Sequence, residues 1–504
     1  MQTPTDAGQR RTLWLLLALA TARLLLHVLL NGQYGFHRDE LAVLDDARRL
    51  AWGYIAYPPL TPALGRLELE LFGTSLAGFR FFSALAQCAA MVFAGLIARE
   101  LGGRRGTQLL AALAVAATPF SLLTGSMFMY TAFDGLWWVV LAWMTLRLVN
   151  TGNARWWLGM GLVIGLGMLT RYTMLFCVAG LVVGVVATPL CSQLRNRWLW
   201  AGAALSLLVF LPNALWQWQH DFISLDFLQH IHARDVRIGR TDGFVVQQLY
   251  ANTGPLLLPL WLAGLWWVAF ARAGARYRVL GWMYVTSLVL FLIAHGRAYY
   301  LAPAYPMLLA AGAVAVEGWL ADFRPNAAAW SRGAIWAVLT VALVTSAVIA
   351  LPLAPIDSAA WRISRKAHDN FAEQLGWPEL VAQVATIYRS LPPRERARTT
   401  IFANNYGEAG AIDLYGPQYG LPPAVSNINS YWYRGFGNPQ TTTVIVLGDD
   451  AQGMGDTPAT CTIVGHAQIP HDVENEESGH PNIYLCRDLR VDWKKIWSAT
   501  PDYG

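Results

Sequence analysis

Leu13-Trp-Leu-Leu-Leu-Ala-Leu-Ala-Thr-Ala-Arg-Leu-Leu-Leu-His-Val-Leu-Leu30, followed closely by Gly35-Phe-His-Arg-Asp-Glu40, is the stretch from which the fold can be read. An apolar run of this length spans a bilayer, and the ionisable cluster after it falls at the membrane surface. No small-residue cleavage site precedes the charged segment, so the run reads as a retained first helix rather than a removed signal. Further apolar runs begin near Phe82, Gln108, Phe133, Trp157, Thr173, Leu199, Pro255, Leu280, Leu301 and Gly333, several bordered by Trp or Tyr. With the first, they make about eleven spans. The composition agrees: of 504 residues 55% are apolar and 14% charged, with mean hydropathy +0.35, where globular domains carry roughly 25% charge. An ordinary soluble enzyme is excluded. A net charge of +5 without a basic tail excludes nucleic acid as the partner.

The short loops alternate in charge. If Gln9–Arg11 stay in the cytoplasm, every second loop carries arginine: Arg99, Arg104 and Arg105; Arg155; Arg195 and Arg197; Arg272, Arg276 and Arg278; Arg324 and Arg332. This is the positive-inside pattern. The other face receives the first loop, 31–80, the loop from Trp216 to Asn252, the segment His295–Tyr300 and everything after the last span. The expected architecture is a polytopic α-helical membrane domain over 1–355 with a C-terminal extracytoplasmic α/β domain over 356–504. In that domain Glu379–Tyr388 has helical spacing, while Thr399–Phe402, Thr441–Leu447, Thr460–Val464 and Ile483–Cys486 read as strands. Cys461 and Cys486 fall in the same exported domain, where two thiols pair or stay separately buried.

Charge among apolar residues marks the candidate site. His37, Arg38, Asp39 and Glu40 sit at the end of the first span, where ionisable groups are costly without partners or a water-filled cavity. The same residues also fit a solvated helix N-terminus, with Asp39 and Glu40 complementing the helix dipole. Tyr57-Pro-Pro-Leu60 lies further along that loop, Thr131-Ala-Phe-Asp134 opens the fourth span, and Arg171-Tyr172 and His295-Gly-Arg-Ala-Tyr-Tyr300 lie at span ends. The assigned topology puts all of these on the outer side. Carboxylates combined with Arg171, Arg297 and tyrosines suit a lipid-linked anionic substrate, since guanidinium forks bind phosphate with paired bonds. Each arginine singly also fits snorkelling to the headgroups.

Two other patterns carry both a functional and a structural reading. Asp226, His230 and His232 are ligand types for zinc or manganese, in a spacing that is also common in plain loops. Gly159, Gly161, Gly165 and Gly167 mimic a nucleotide fingerprint but lie inside an apolar span without a preceding strand, which favours close helix packing.

Together the acidic pair Asp39-Glu40, the turn Pro58-Pro-Leu60, Thr131-x-x-Asp134 and Arg297-Ala-Tyr-Tyr300 leading to Pro303 and Pro306 resemble the GT-C membrane glycosyltransferases of family 39, which include protein O-mannosyltransferases, and the related aminoarabinose transferases. The likeness covers most of residues 12–320. It implies Asp39 as catalytic base, Glu40 and Asp134 as further active-site carboxylates, and Arg171, Arg297, Tyr57, Tyr299 and Tyr300 as ligands of the donor phosphate. His37, Arg38, Tyr172 and His295 are further site candidates. One departure is Tyr57, which stands where the aminoarabinose transferases carry a basic residue. The run Asn404-Asn-Tyr-Gly-Glu-Ala-Gly-Ala-Ile-Asp413 looks like bacterial family-39 proteins of unassigned acceptor.

The resemblance implies an inverting glycosyltransferase in the bacterial inner membrane, passing a sugar from a polyprenyl-phosphate donor to an envelope acceptor that is a lipid, glycan or protein. No cofactor is required for such a transfer, and a divalent metal is left open. Two other classes remain: a transporter or flippase of a lipid-linked or small anionic substrate, and a non-catalytic scaffold. The first is expected to show internal repeats and mid-span polar residues, which are not found; the second would tolerate loss of Asp39.

Overall fold

The computed structural model describes residues 6–448 and 460–489 together with Lys494, Trp497, Asp502 and Tyr503; the far end of the expected 356–504 domain lies partly outside them. Among the described residues, seven helices are long and apolar enough to cross a membrane, or nine if two bent pairs each count as one span. Two shorter apolar helices, Trp156–Met168 and Pro255–Ala269, join them. Every expected span start falls on one of these apolar helices or pairs, except Thr173, which immediately precedes Met174–Val186. The protein is multi-pass and mostly helical. The glycine run packs as expected: a Cβ on Gly161 would lie 2.1 Å from the Gly202 carbonyl oxygen, so helices Trp156–Met168 and Arg197–Gln219 meet backbone to backbone.

The first loop is largely helical. Helix α1 (Asp6–Leu30) leads into α2 (Arg38–Arg48), and α3 (Leu60–Phe72) follows. The start of α2 is written locally: the His37 ring nitrogen accepts the Asp39 N–H at 3.1 Å, and Glu40 Oε2 accepts the His37 N–H at 2.8 Å. That reciprocal cap satisfies donors a helix start leaves open. Residues 216–252, expected as a loop, also contain a helix, Ile223–Arg237.

After the last apolar helix, Pro325–Ala350, the chain builds a small α/β unit. Strands β1 (Thr399–Ala403), β2 (Ala424–Val425), β3 (Thr443–Leu447), β4 (Thr460–His466) and β5 (Asn482–Arg487) form one sheet in the order β2-β1-β3-β5-β4. β1 runs parallel to β2 and β3, and β5 is antiparallel to β3 and β4. β1 and β3 are buried at every position, the mark of strands covered on both faces. The four strands expected from sequence are present; the two-residue β2 was too short to read. Cys461 and Cys486 face each other across β4 and β5 and form a disulfide.

This unit does not stand apart from the first loop. Phe36, Leu41 and Leu44 of that loop share one apolar cluster with Trp377, Val381, Ile401, Ile445 and Ile483. Helix Tyr406–Tyr415 lies against α2 so closely that a Cβ on Gly410 would come within 2.8 Å of the Leu41 Cβ, and one on Gly407 within 2.8 Å of the Arg38 Cβ. Those two glycines let Tyr406 reach the start of α2.

Candidate active site

At the junction of the helical bundle, the first loop and the C-terminal unit lies a cavity of about 600 Å³. Five arginines and three aspartates line it, with apolar side chains such as Phe176, Leu228 and Phe291.

Asp39 lies on this wall. Its Oδ1 accepts the Tyr406 hydroxyl at 2.8 Å, and the Arg38 Nε is 4.0 Å away. Burial pushes the carboxyl up, but His37, Arg38 and the Tyr406 hydroxyl together more than offset it and hold it below its ordinary value. Arg38 is held in turn by Glu476 and lies over the Tyr406 ring, 5.4 Å from its centre. Burial and the neighbouring Asp39 push the Tyr406 phenol upward, so it keeps its proton and acts as a donor.

Arg171 sits among aromatic rings: its guanidinium carbon is 4.2 Å from the Tyr300 ring centre, 5.0 Å from Tyr130 and 5.6 Å from Tyr299. Asp134 lies behind it, fully buried, with Oδ2 3.7 Å from Arg171 Nη1 and Oδ1 accepting the Trp138 indole N–H at 3.1 Å. A guanidinium stacked on tyrosines with one carboxylate behind it is oriented yet keeps donors for an anion.

The expected residues divide between those on the cavity wall and those held away from it. Glu40 does not reach the cavity: it and Arg80 are both fully buried and joined by two bonds of 2.8 and 2.5 Å, and Glu40 also accepts the Phe128 N–H at 2.7 Å. His37 caps α2. Asp134 supports Arg171 rather than facing the cavity. Arg297 lines the cavity but grips Asp235 with two bonds of 2.6 and 2.7 Å, and the Tyr57 hydroxyl is given to Asp46 at 2.7 Å. Tyr172 and His295 line the cavity; the Tyr172 hydroxyl donates to Asn213 Oδ1 at 3.2 Å. Asp226, His230 and His232 do not converge, because on helix Ile223–Arg237 residues two apart point to opposite sides. His230 lies against the Tyr503 ring and His232 faces His295, with ring centres 5.5 and 6.2 Å apart. Among the described residues, no group of three His, Cys, Asp or Glu side chains is arranged to hold a metal.

Sequence reasoning missed Tyr406, Tyr130, Asp46 and Asp235. Tyr130 adjoins the Thr131–Asp134 motif and Tyr406 lies in the Asn404–Asp413 run, so both had a local signal; Asp46 and Asp235 look like ordinary helix-surface acids.

A membrane bundle whose mouth carries an acidic helical loop, roofed by a small α/β unit, is the GT-C architecture. A family model described as dolichyl-phosphate-mannose-protein mannosyltransferase matches residues 56–216. The chain is 26% identical over 258 residues to the lipid A galacturonosyltransferase RgtD of Rhizobium johnstonii, a match covering 49% of this chain and 53% of that protein. It thus spans about half the length of that curated relative. The crystal structure of ArnT from Cupriavidus metallidurans bound to undecaprenyl phosphate superposes with TM-score 0.60 at 13% identity, covering 94% of this chain and 97% of that one. The oligosaccharyltransferase of Archaeoglobus fulgidus in its apo form gives 0.50 at 13% identity over 89% of this chain and 70% of its own. The fold expected from the motifs is therefore present over nearly the whole chain.

Proposed function

We propose that this chain is an inverting glycosyltransferase that takes a sugar from a polyprenyl-phosphate donor. The observation that carries the reading is a single cavity at the mouth of the bundle with an ionised carboxylate, Asp39, and a ring-stacked guanidinium, Arg171, on its walls. The acceptor oxygen attacks the anomeric carbon while its proton passes to Asp39, whose Oδ2 remains beside the Tyr406-bonded Oδ1. The bond from that carbon to the phosphate oxygen breaks, and the electron pair leaves with the phosphate. Arg171 stabilises the charge that develops there in a partly water-excluded site. Nucleophile and leaving group both belong to the substrates, so the step requires no cofactor.

The named activity of RgtD supports sugar transfer, and the undecaprenyl phosphate held by ArnT supports the donor class. Arginine-bearing loops support a bacterial inner-membrane location with the cavity and residues 356–504 on the outer side. In this reading 1–355 is the catalytic membrane domain, with 31–80 its first outer loop, and the acceptor is an envelope molecule. The test is transfer: purified protein is incubated with radiolabelled polyprenyl-phosphate sugars and fractionated envelope acceptors. Label should move to an acceptor fraction and free polyprenyl phosphate should appear in equal amount. No transfer with any donor would return the chain to the transporter or scaffold class.

A further inference from the structure

The far end of the helical bundle carries a second, smaller pocket. It holds about 110 Å³ between helices Arg105–Ala116, Tyr305–Ala321 and Pro325–Ala350. The apolar span Ala298–Ala321 starts at Tyr299 and Tyr300, on the wall of the Asp39 cavity, and brings Glu317 to this pocket. The separation along the span is about 25–30 Å, close to the thickness of a bilayer core, so the two sites face opposite membrane surfaces. Arg104 and Arg332, both on the pocket wall, belong to the arginine-bearing loops that the positive-inside pattern assigns to the cytoplasm. Arg332 holds Glu317 by two bonds of 2.7 and 3.3 Å, yet 45% and 40% of their side chains stay exposed. Arg104 is the N-cap of helix Arg105–Ala116, and no side chain caps that helix start. Thr107, in its first turn, lines the pocket and is only 4% exposed. Its hydroxyl makes no hydrogen bond among the described residues, and it is not sealed in as those of Thr61 and Ser83 are.

A helix start leaves N–H donors without intrahelical partners, and the helix dipole makes that end positive. An anion placed there meets those donors, the Arg104 guanidinium and the free Thr107 hydroxyl. A simple anion would also face the Glu317 carboxylate. A phosphodiester joined to a primary ammonium meets both signs of charge: its phosphate oxygens accept from the helix start, Thr107 and Arg104, and its ammonium donates to Glu317. The rest of the wall is apolar, with Leu110, Leu320 and Trp336 on helices that run on into the bilayer, where acyl chains lie. We propose that this pocket binds the headgroup of an aminophospholipid of the inner leaflet. The binding is independent of the glycosyltransferase reading, because pocket and cavity stand at opposite ends of one span and share no residue.

The experiment uses the full-length protein, delipidated in a neutral detergent, with bound lipid counted by native mass spectrometry. Four probes are titrated: dioleoyl phosphatidylethanolamine, dioleoyl phosphatidylcholine, dioleoyl phosphatidylglycerol and water-soluble glycerophosphoethanolamine. Phosphatidylethanolamine should bind about tenfold more tightly than phosphatidylcholine, whose nitrogen has no N–H to donate, and than phosphatidylglycerol, which has no cation. The double variant Arg104→Gln with Thr107→Val should lose about tenfold in phosphatidylethanolamine affinity, with the unfolding midpoint of the lipid-free protein unchanged. Arg104→Gln alone, at an exposed position, should still lose about threefold, which keeps the test open if the double variant misfolds. Glu317→Gln should bring the ethanolamine and choline lipids to within about twofold of each other. Equal affinity of wild type for the three lipids, or full phosphatidylethanolamine affinity in the Arg104 variants, would overturn the site. Binding of glycerophosphoethanolamine as tight as that of the whole lipid would replace the lipid with a soluble phosphodiester and overturn the lipid assignment.

Discussion

Asp39 and Glu40 leave α2 one residue and about 100° apart, and they enter different surroundings. Glu40 turns inward, where Arg80 and two backbone N–H groups absorb its charge away from solvent. Asp39 turns to the cavity, where the Tyr406 hydroxyl occupies one oxygen and leaves the other for chemistry. An acidic pair that reads as two site carboxylates is one structural anchor and one carboxylate on the cavity wall. The anchor fixes the helix on which the cavity carboxylate stands, so under the proposed function replacing either residue is expected to harm activity, by different routes.

The most direct attempt to break this contrast is Asp39→Asn, which keeps size and cannot take the acceptor proton. Turnover should fall by about 10²–10⁴-fold, with the unfolding midpoint and donor affinity near wild type. Equal loss of stability would mean that Asp39 is an anchor too. Glu40→Gln should do the reverse, leaving Arg80 buried without its counter-charge at a cost of about 3–5 kcal/mol; thermal unfolding in detergent should show a marked drop in midpoint, with donor affinity recovering in whatever fraction stays folded.

The phosphate end sharpens the comparison further. Arg171→Lys keeps the charge but loses the planar face that rests on Tyr130 and Tyr300, and donor affinity should weaken by roughly ten- to a hundredfold, measurable by direct titration with undecaprenyl phosphate. An unchanged affinity would move the phosphate elsewhere on the cavity.

The smallest expected effect is that of Tyr406→Phe. Because the Asp39 pKa is depressed in the folded protein, its carboxylate stays ionised and turnover should be level from neutral pH down through the ordinary carboxylate range, falling only below it. Any stability Asp39 contributes is likewise present above the ordinary value and lost as pH drops through the lowered one. Removing the Tyr406 hydroxyl should shift this acid limb upward and cost about tenfold in turnover at neutral pH. A pH profile identical to wild type would show that the C-terminal unit does not tune the base.

The apolar runs, the charge alternation of the loops and the strand pattern after Leu353 were legible in the chain because bilayer thickness and sheet pleat impose periods that a sequence must carry. The acidic pair, Arg171 and the tyrosines were legible because charge among apolar residues is costly enough to need a reason. Partners were not legible. Arg80 lies far along the chain from Glu40, Asp235 far from Arg297, and Tyr406 reaches Asp39 only because Gly407 and Gly410 let two helices touch. The sequence by itself thus determined which groups are ionisable and near which end of a span they fall. Only the tertiary structure decided which of them neutralise one another and which still face the cavity, because ion pairing and desolvation depend on distances of a few ångströms between segments tens to hundreds of residues apart.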